Sequence, residues 1–193
     1  MRSVCCIFPV TATLLFAPTG TVRADEVLSE VRLGVLAHDV IGREHGTDVN
    51  AEALFATPID AMALSDLPAW ARWLLRPRPD VGFYKNFGGY TDQLYAGVTW
   101  TAALARNVFR AGDGLFFDYG FGPALNNGRI GAGAPPDFSR LGSHVLFHLS
   151  VDLGYRVTPR WSILAYFAHS SNAGLARYNE SLNEAGMRVG FGF

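Results

Sequence analysis

A histidine and a serine stand two positions apart near the end of the sequence, as His169 and Ser171. In a β-strand, side chains at positions i and i+2 project from the same face. The imidazole would therefore lie beside the hydroxyl, close enough to accept its proton. This pairing is the smallest nucleophile–base arrangement that supports acyl transfer.

Two asparagines follow the pair, Asn172 and Asn179. Their side-chain amides could donate hydrogen bonds to the oxyanion that develops when an ester carbonyl is attacked. Asparagine is also common in turns, where it hydrogen-bonds to nearby backbone. The H-x-S pattern likewise recurs by chance. The weight of both observations depends on the elements that carry them.

The composition narrows the class of protein. The chain has 193 residues, 16 Lys and Arg against 17 Asp and Glu, and a formal net charge of -1. No basic stripe suggests a nucleic-acid partner. Charged residues make up only 17% of the chain and hydrophobic residues 49%, which is unusual for a soluble domain.

The first 24 residues predict a secretory signal peptide, with cleavage after Ala24. Arg2 is followed by a short apolar run, and small residues precede the cleavage point. Residues 25–193 would then form one domain. Cys5 and Cys6 both fall within the signal, so that domain would have no disulfide.

Alternating hydrophobicity predicts eight strands, most of them bounded by Gly, Pro, Asn or Asp. In the clearest stretch, Val145, Phe147 and Leu149 share one face while His148 and Asp152 lie on the other. The connection at residues 70–75 predicts a short interfacial helix or a loop with belt tryptophans. The predicted strands are residues 30–40, 47–57, 80–86, 93–104, 114–124, 143–157, 161–172 and 184–193.

Long aromatic-rich faces opposite charged residues do not fit a soluble barrel, which buries its apolar side chains inside. They fit an all-β fold of the inverted kind, an eight-stranded antiparallel transmembrane β-barrel of the bacterial outer membrane. The aromatic Phe193 at the end of an alternating strand agrees with this fold. A soluble periplasmic binding barrel is the alternative, and such a protein would partition into buffer rather than detergent.

The seventh predicted strand sets the direction of the His–Ser pair. Trp161, Ile163 and Phe167 have the same parity as His169 and Ser171, so this face points toward lipid. The pair would then lie at the strand end, near a membrane interface, and point out of the barrel. A lipid-modifying enzyme has a reason to place a nucleophile there.

The segment from His169 through Asn172 to Asn179, with the last strand that follows, resembles the outer-membrane lipid A 3-O-deacylase (PagL-type, acyloxyacyl hydrolase-like) family. Stretches at 31–40, 48–55 and 141–156 extend the resemblance over most of the chain. The resemblance implies a barrel that hydrolyses the acyl ester at the 3-position of lipid A with a His-Ser-Glu triad. It implies no metal and no cofactor.

The resemblance assigns His169 as the general base and Ser171 as the nucleophile. It assigns Asn172 and Asn179 to orienting the site or stabilising the oxyanion. The family's acidic residue falls at position 183, where this chain has asparagine.

Three residues remain as candidates for the third triad role. Glu184 needs a one-residue shift to reach the imidazole, because its parity is inward. Asn183 points outward and could act as the amide does in Cys-His-Asn enzymes. Glu180 lies in the preceding loop. We expect Glu184 to be the third catalytic residue and Asn183 to help orient the site.

The implied partners are lipopolysaccharide as substrate and the surrounding outer-membrane lipids, and the sequence leaves open whether the chain forms a homodimer. A non-enzymatic structural or adhesive barrel that has lost the triad acid is the alternative function. Asn183 favours that alternative, and the intact His–Ser pair favours the enzyme.

Overall fold

The computed structural model describes residues 27–193, so the predicted signal peptide lies outside the described part of the chain. Eight antiparallel strands form a closed barrel in which each strand pairs with its sequence neighbours and β8 pairs with β1. The strands are β1 Leu28–Ala37, β2 Thr47–Phe55, β3 Arg78–Asn86, β4 Gln93–Arg106, β5 Gly114–Asn126, β6 Val145–Arg156, β7 Trp161–Ser171 and β8 Leu182–Gly192.

The outer wall of the barrel is apolar, as the alternation predicted. Leu33 and Val35 on β1 are each 62% exposed, and Leu153 on β6 is 53% exposed. In water such a surface would be costly, since exposed apolar area is disfavoured by about 25 cal/mol per Å². In a bilayer the same surface faces hydrocarbon, and the closed sheet satisfies its backbone groups.

The interior is filled by charged side chains in place of a channel. Arg32 and Arg188 are each 1% exposed. Arg188 Nη1 lies 3.0 Å from Glu52 Oε2, and Arg32 Nη1 lies 3.0 Å from Asp152 Oδ2. Arg32 Nε also donates to Glu30 Oε1 at 2.8 Å. These buried charges are paired across the barrel, as burial of charge requires.

An aromatic layer lies next to this ion-pair network. The Tyr84 hydroxyl is 2.7 Å from His148 Nε2, and the Tyr95 ring stacks on the His148 imidazole at a centroid distance of 4.3 Å. The Arg188 guanidinium lies 3.8 Å from the centroid of the Tyr166 ring. Contacts of the layer join β3, β4, β6, β7 and β8 from within, so they help to hold β7, the strand that carries both His169 and Ser171.

The two ends of the barrel differ. The terminal end, where β1 begins and β8 ends, carries the connection 56–77 and the turns 107–113 and 157–160. The opposite end, called the loop end below, carries the loops 38–46, 87–92, 127–144 and 172–181.

The connection 56–77 contains one 3₁₀ turn and helix α1, Ala69–Leu74. Trp73 Nε1 donates to the carbonyl of Thr101 at 2.7 Å, so the helix packs on β4. Of the two alternatives that the sequence left open for residues 70–75, the structure has the short helix. No helix in residues 27–193 is both long and apolar enough to cross a membrane.

The predicted strand ends need correction. The first strand was expected to reach Val40, but β1 ends at Ala37. Asp39 has a φ of 45°, which an extended strand cannot contain. The last strand was expected to begin at Glu184, but β8 begins at Leu182, because its pairing with β7 continues to that residue.

Candidate catalytic site

His169 and Ser171 lie side by side on the outer face of β7, at the loop end. His169 Nε2 is 3.0 Å from Ser171 Oγ, within hydrogen-bond distance. Both side chains are half-buried, while Trp161 and Ile163 on the same face are exposed. The placement follows from strand alternation, since every second residue of β7 points outward.

Asn183 is the cross-strand partner of His169 on β8. Its Oδ1 lies 2.8 Å from His169 Nδ1. An amide oxygen only accepts hydrogen bonds, so Nδ1 must carry the hydrogen. Nε2 then has a free lone pair directed at the Ser171 hydroxyl. This is the tautomer that a general base needs.

The expectation that Glu184 contacts His169 is not met by the geometry. Glu184 pairs with Ala168 and faces the barrel interior, where it is fully buried and accepts a hydrogen bond from Gln93 Nε2 at 2.9 Å. No register shift brings it outward. The structure therefore favours Asn183 over Glu184 for the third position.

Glu180 does not reach the imidazole either. Its carboxylate accepts hydrogen bonds from the backbone N–H and the guanidinium of Arg140, at 2.7 Å and 2.6 Å. The hydrogen bonds from Arg140 hold the pKa of Glu180 below its usual range. Glu180 thus fastens loop 172–181 to loop 127–144.

Asn172 and Asn179 form hydrogen bonds that connect the loops 127–144 and 172–181 at the loop end. Asn172 Nδ2 donates to the carbonyls of Leu141 and Tyr178, at 2.7 Å and 2.6 Å, and the backbone N–H of Asn172 donates to Asn179 Oδ1 at 3.0 Å. Both hydrogens of the Asn172 amide are therefore committed. This geometry supports an orienting role for Asn172 and leaves its side chain no free donor for an oxyanion.

An apolar groove of about 400 Å³ opens on the outer wall beside the pair. Phe121, Val145, Phe147 and Leu175 contribute its apolar lining. Phe147, the cross-strand partner of Ser171, and Asn172, its neighbour in sequence, both line the groove, so it lies next to the serine. Its shape and lining suit a hydrocarbon chain.

A buried ionic cluster lies beneath the loop end. His38 Nδ1 is 2.8 Å from Asp48 Oδ2, and His38 Nε2 is 3.0 Å from Glu44 Oε2. Burial alone would lower the pKa of His38, but the hydrogen bonds to both carboxylates outweigh it and raise the pKa to about 10. The histidine is thus a cation that joins β1, loop 38–46 and β2.

The same cluster contains side chains of the types that can bind a metal ion. Ligand atoms of His38, Asp48 and Glu184 all lie within 4.8 Å of one another. Both nitrogens of His38 already bond to carboxylates, so a metal ion would first have to displace a proton from the imidazole. The arrangement in the described chain is that of an ion pair.

The raised pKa of His38 predicts that the free energy of unfolding of the barrel depends on pH. The folded-state pKa of this histidine is raised above the unperturbed value of about 6.5, so its stabilisation is complete below that pH. We expect this stabilisation to be lost as pH rises toward about 10. Urea unfolding in detergent micelles across this range measures the effect. The His38→Gln variant should lack the decline, and an equal decline in the variant would contradict the assignment.

The fold defines the protein as a closed eight-stranded antiparallel β-barrel with an apolar outer wall. The crystal structure of the outer-membrane enzyme PagL matches with a TM-score of 0.61 at 16% identity, covering 86% of this chain and 100% of that one. A designed transmembrane β-barrel matches with a TM-score of 0.51 at 13% identity, covering 89% of this chain and 98% of that one. No curated protein sequence matches the chain.

The family follows from the sequence. The family model described as lipid A 3-O-deacylase (PagL) matches residues 61–192. That range is more than half of the chain, so the chain belongs to the PagL lipid A 3-O-deacylase family. The resemblance expected from the sequence, the barrel fold and the outer-membrane location are confirmed.

Sequence reasoning missed one residue of the site, Asp39. Its carboxylate accepts hydrogen bonds from both the backbone and the side chain of Asn183. The two residues are 144 positions apart, so no local pattern connects them. The available signal was a His-Asp pair directly after an alternating strand, at the end where His169 lies.

Proposed function

We propose that this protein is a serine esterase that hydrolyses the acyl chain ester-linked at the 3-position of lipid A. The observation that carries the proposal is the preformed contact of 3.0 Å between His169 Nε2 and Ser171 Oγ on the lipid-facing wall. Family membership supplies the substrate class. We assign the loop end to the outer leaflet, where lipid A resides.

In the acylation step, Ser171 Oγ attacks the ester carbonyl carbon while its proton passes to His169 Nε2. The carbonyl electron pair moves to oxygen and then returns, which breaks the bond to the sugar oxygen. That oxygen takes the proton from Nε2 and leaves as the free hydroxyl of lipid A. The fatty acid is then bound to Ser171 as an ester.

In the deacylation step, water attacks the acyl-enzyme and His169 accepts its proton. Collapse of the tetrahedral intermediate releases the fatty acid and returns the proton to Ser171. We assign the oxyanion contact to the backbone N–H of Ala173, because the hydrogens of Asn172 Nδ2 and the N–H groups of Asn172, Gly174 and Leu175 are already donated within the described chain. Asn172 and Asn179 hold the turn 172–175 in place.

The apolar groove beside Ser171 suits the chain that is removed. An acyl chain lying along Phe147 and Phe121 would bring its ester to the serine without leaving the hydrocarbon region. Binding energy from the chain would then position the reacting carbonyl. The sugar and phosphate groups would remain at the membrane surface.

Mass spectrometry of lipid A tests the proposal. A Gram-negative host producing this protein should yield lipid A lighter by one hydroxyacyl group than the same host with an empty vector. The purified barrel should release the same acid from detergent-dispersed lipopolysaccharide, where membrane packing cannot suppress activity. Unmodified lipid A in both assays, with a folded barrel, would favour the non-enzymatic alternative.

A further inference from the structure

The third position of the triad holds an amide that carries no charge. Asn183 Oδ1 accepts the hydrogen of His169 Nδ1, so it can orient the ring. An uncharged amide stabilises the imidazolium formed during catalysis less than a carboxylate does. The Asn183 amide can also adopt two orientations related by a flip of its end group. The flipped orientation would present Nδ2 to the imidazole and select the wrong tautomer of His169.

Asp39 fixes the orientation of the Asn183 amide relative to the imidazole. Asn183 Nδ2 lies 3.4 Å from Asp39 Oδ1, and the backbone N–H of Asn183 donates to the same oxygen at 3.2 Å. A carboxylate only accepts hydrogen bonds, so the NH₂ group must face Asp39. The oxygen of the amide is thereby turned toward His169.

Asp39 itself is held in place by the loops around it. It is 1% exposed. Its Oδ2 accepts hydrogen bonds from the backbone N–H of Arg43 at 2.9 Å, from that of Glu44 at 3.2 Å and from the Ser139 hydroxyl at 3.1 Å. Its backbone has a φ of 45°, which is uncommon for a residue other than glycine. This backbone conformation directs the side chain toward Asn183.

We propose that Asp39 is a positioning residue that supplies, through Asn183, the carboxylate missing from the triad. In the family the charged carboxylate is expected at position 183, in direct contact with the histidine. Here the carboxylate of Asp39 contacts Asn183 instead and acts on His169 through that amide. The order is then Asp39, Asn183, His169 and Ser171. This inference rests on the proposed esterase function.

An exchange of the two side chains tests the inference. Aspartate and asparagine have nearly the same shape, so Asp39→Asn combined with Asn183→Asp moves the charge into direct contact with the imidazole. We expect Asp39→Asn alone to lower kcat about 10- to 100-fold, comparable to the loss of a partner that orients a metal-bound histidine, with KM little changed. The exchanged variant should recover most of the lost kcat.

The assay follows fatty-acid release from detergent-dispersed lipopolysaccharide by purified, folded protein. A purely structural role for Asp39 predicts that the exchange does not rescue activity, and that outcome overturns the inference. Full activity in Asp39→Asn overturns it as well. A folded wild-type protein without activity would instead overturn the proposed function, and this inference with it.

Discussion

Replacing Ser171 with alanine will abolish fatty-acid release, lowering kcat by at least about 1,000-fold, because no other group can form the acyl-enzyme. His169→Gln should cost a similar factor, since the serine then keeps its proton. The double variant should be little worse than either one, because nucleophile and base act as one unit. Mass spectrometry of the released acid, using purified barrel, measures all three.

Ser170 provides a matched control for this prediction. It is the immediate neighbour of the nucleophile but faces inward and is fully buried. Ser170→Ala changes the same atom type one position away and should retain activity within about twofold, as expected for a site outside the chemistry. If Ser171→Ala stayed active while Ser170→Ala failed, the nucleophile would be wrongly assigned.

The second large effect concerns stability. Arg188→Met should destabilise the barrel by about 3–5 kcal/mol, because it leaves buried carboxylates without their counter-charge. Arg188 Nε donates to Asp152 at 3.2 Å, and Nη1 lies 3.0 Å from Glu52. Methionine fills similar volume, so loss of charge rather than a cavity would be measured.

Urea unfolding in detergent micelles gives the free energy. Arg160→Met serves as the control, since Arg160 is exposed in the turn 157–160 and should change stability by less than about 0.5 kcal/mol. Adding Asp152→Leu to Arg188→Met should return part of the loss, because a buried charge disappears with its partner. Equal unfolding midpoints for wild type and Arg188→Met would refute the structural role of the network.

The sequence could predict the barrel because alternation is local. Val145 and His148 project from opposite faces of β6 because of their spacing alone, independently of distant parts of the chain. The structure places Val145 outside and His148 inside, as expected. Strand ends depend on pairing with a neighbour, which is why β8 begins at Leu182 rather than at Glu184. A single sequence does not show how far such pairing continues.

The third triad position shows a different limit. Parity already directed Asn183 outward and Glu184 inward, and the structure has them so. The choice of Glu184 gave chemical type more weight than direction. The carboxylate that is hydrogen-bonded to Asn183 is Asp39, which the closure of β1 against β8 brings to that residue. Only the assembled barrel reveals that contact.

The outward direction of His169 and Ser171 has a consequence for kinetics. A nucleophile on the outer wall meets its substrate by lateral diffusion within one leaflet, so bulk concentration does not set the encounter rate. The governing variable is then the mole fraction of substrate among its neighbouring lipids. Adding inert detergent at a constant amount of lipopolysaccharide would slow such an enzyme by surface dilution alone, and rates are comparable only at matched surface composition.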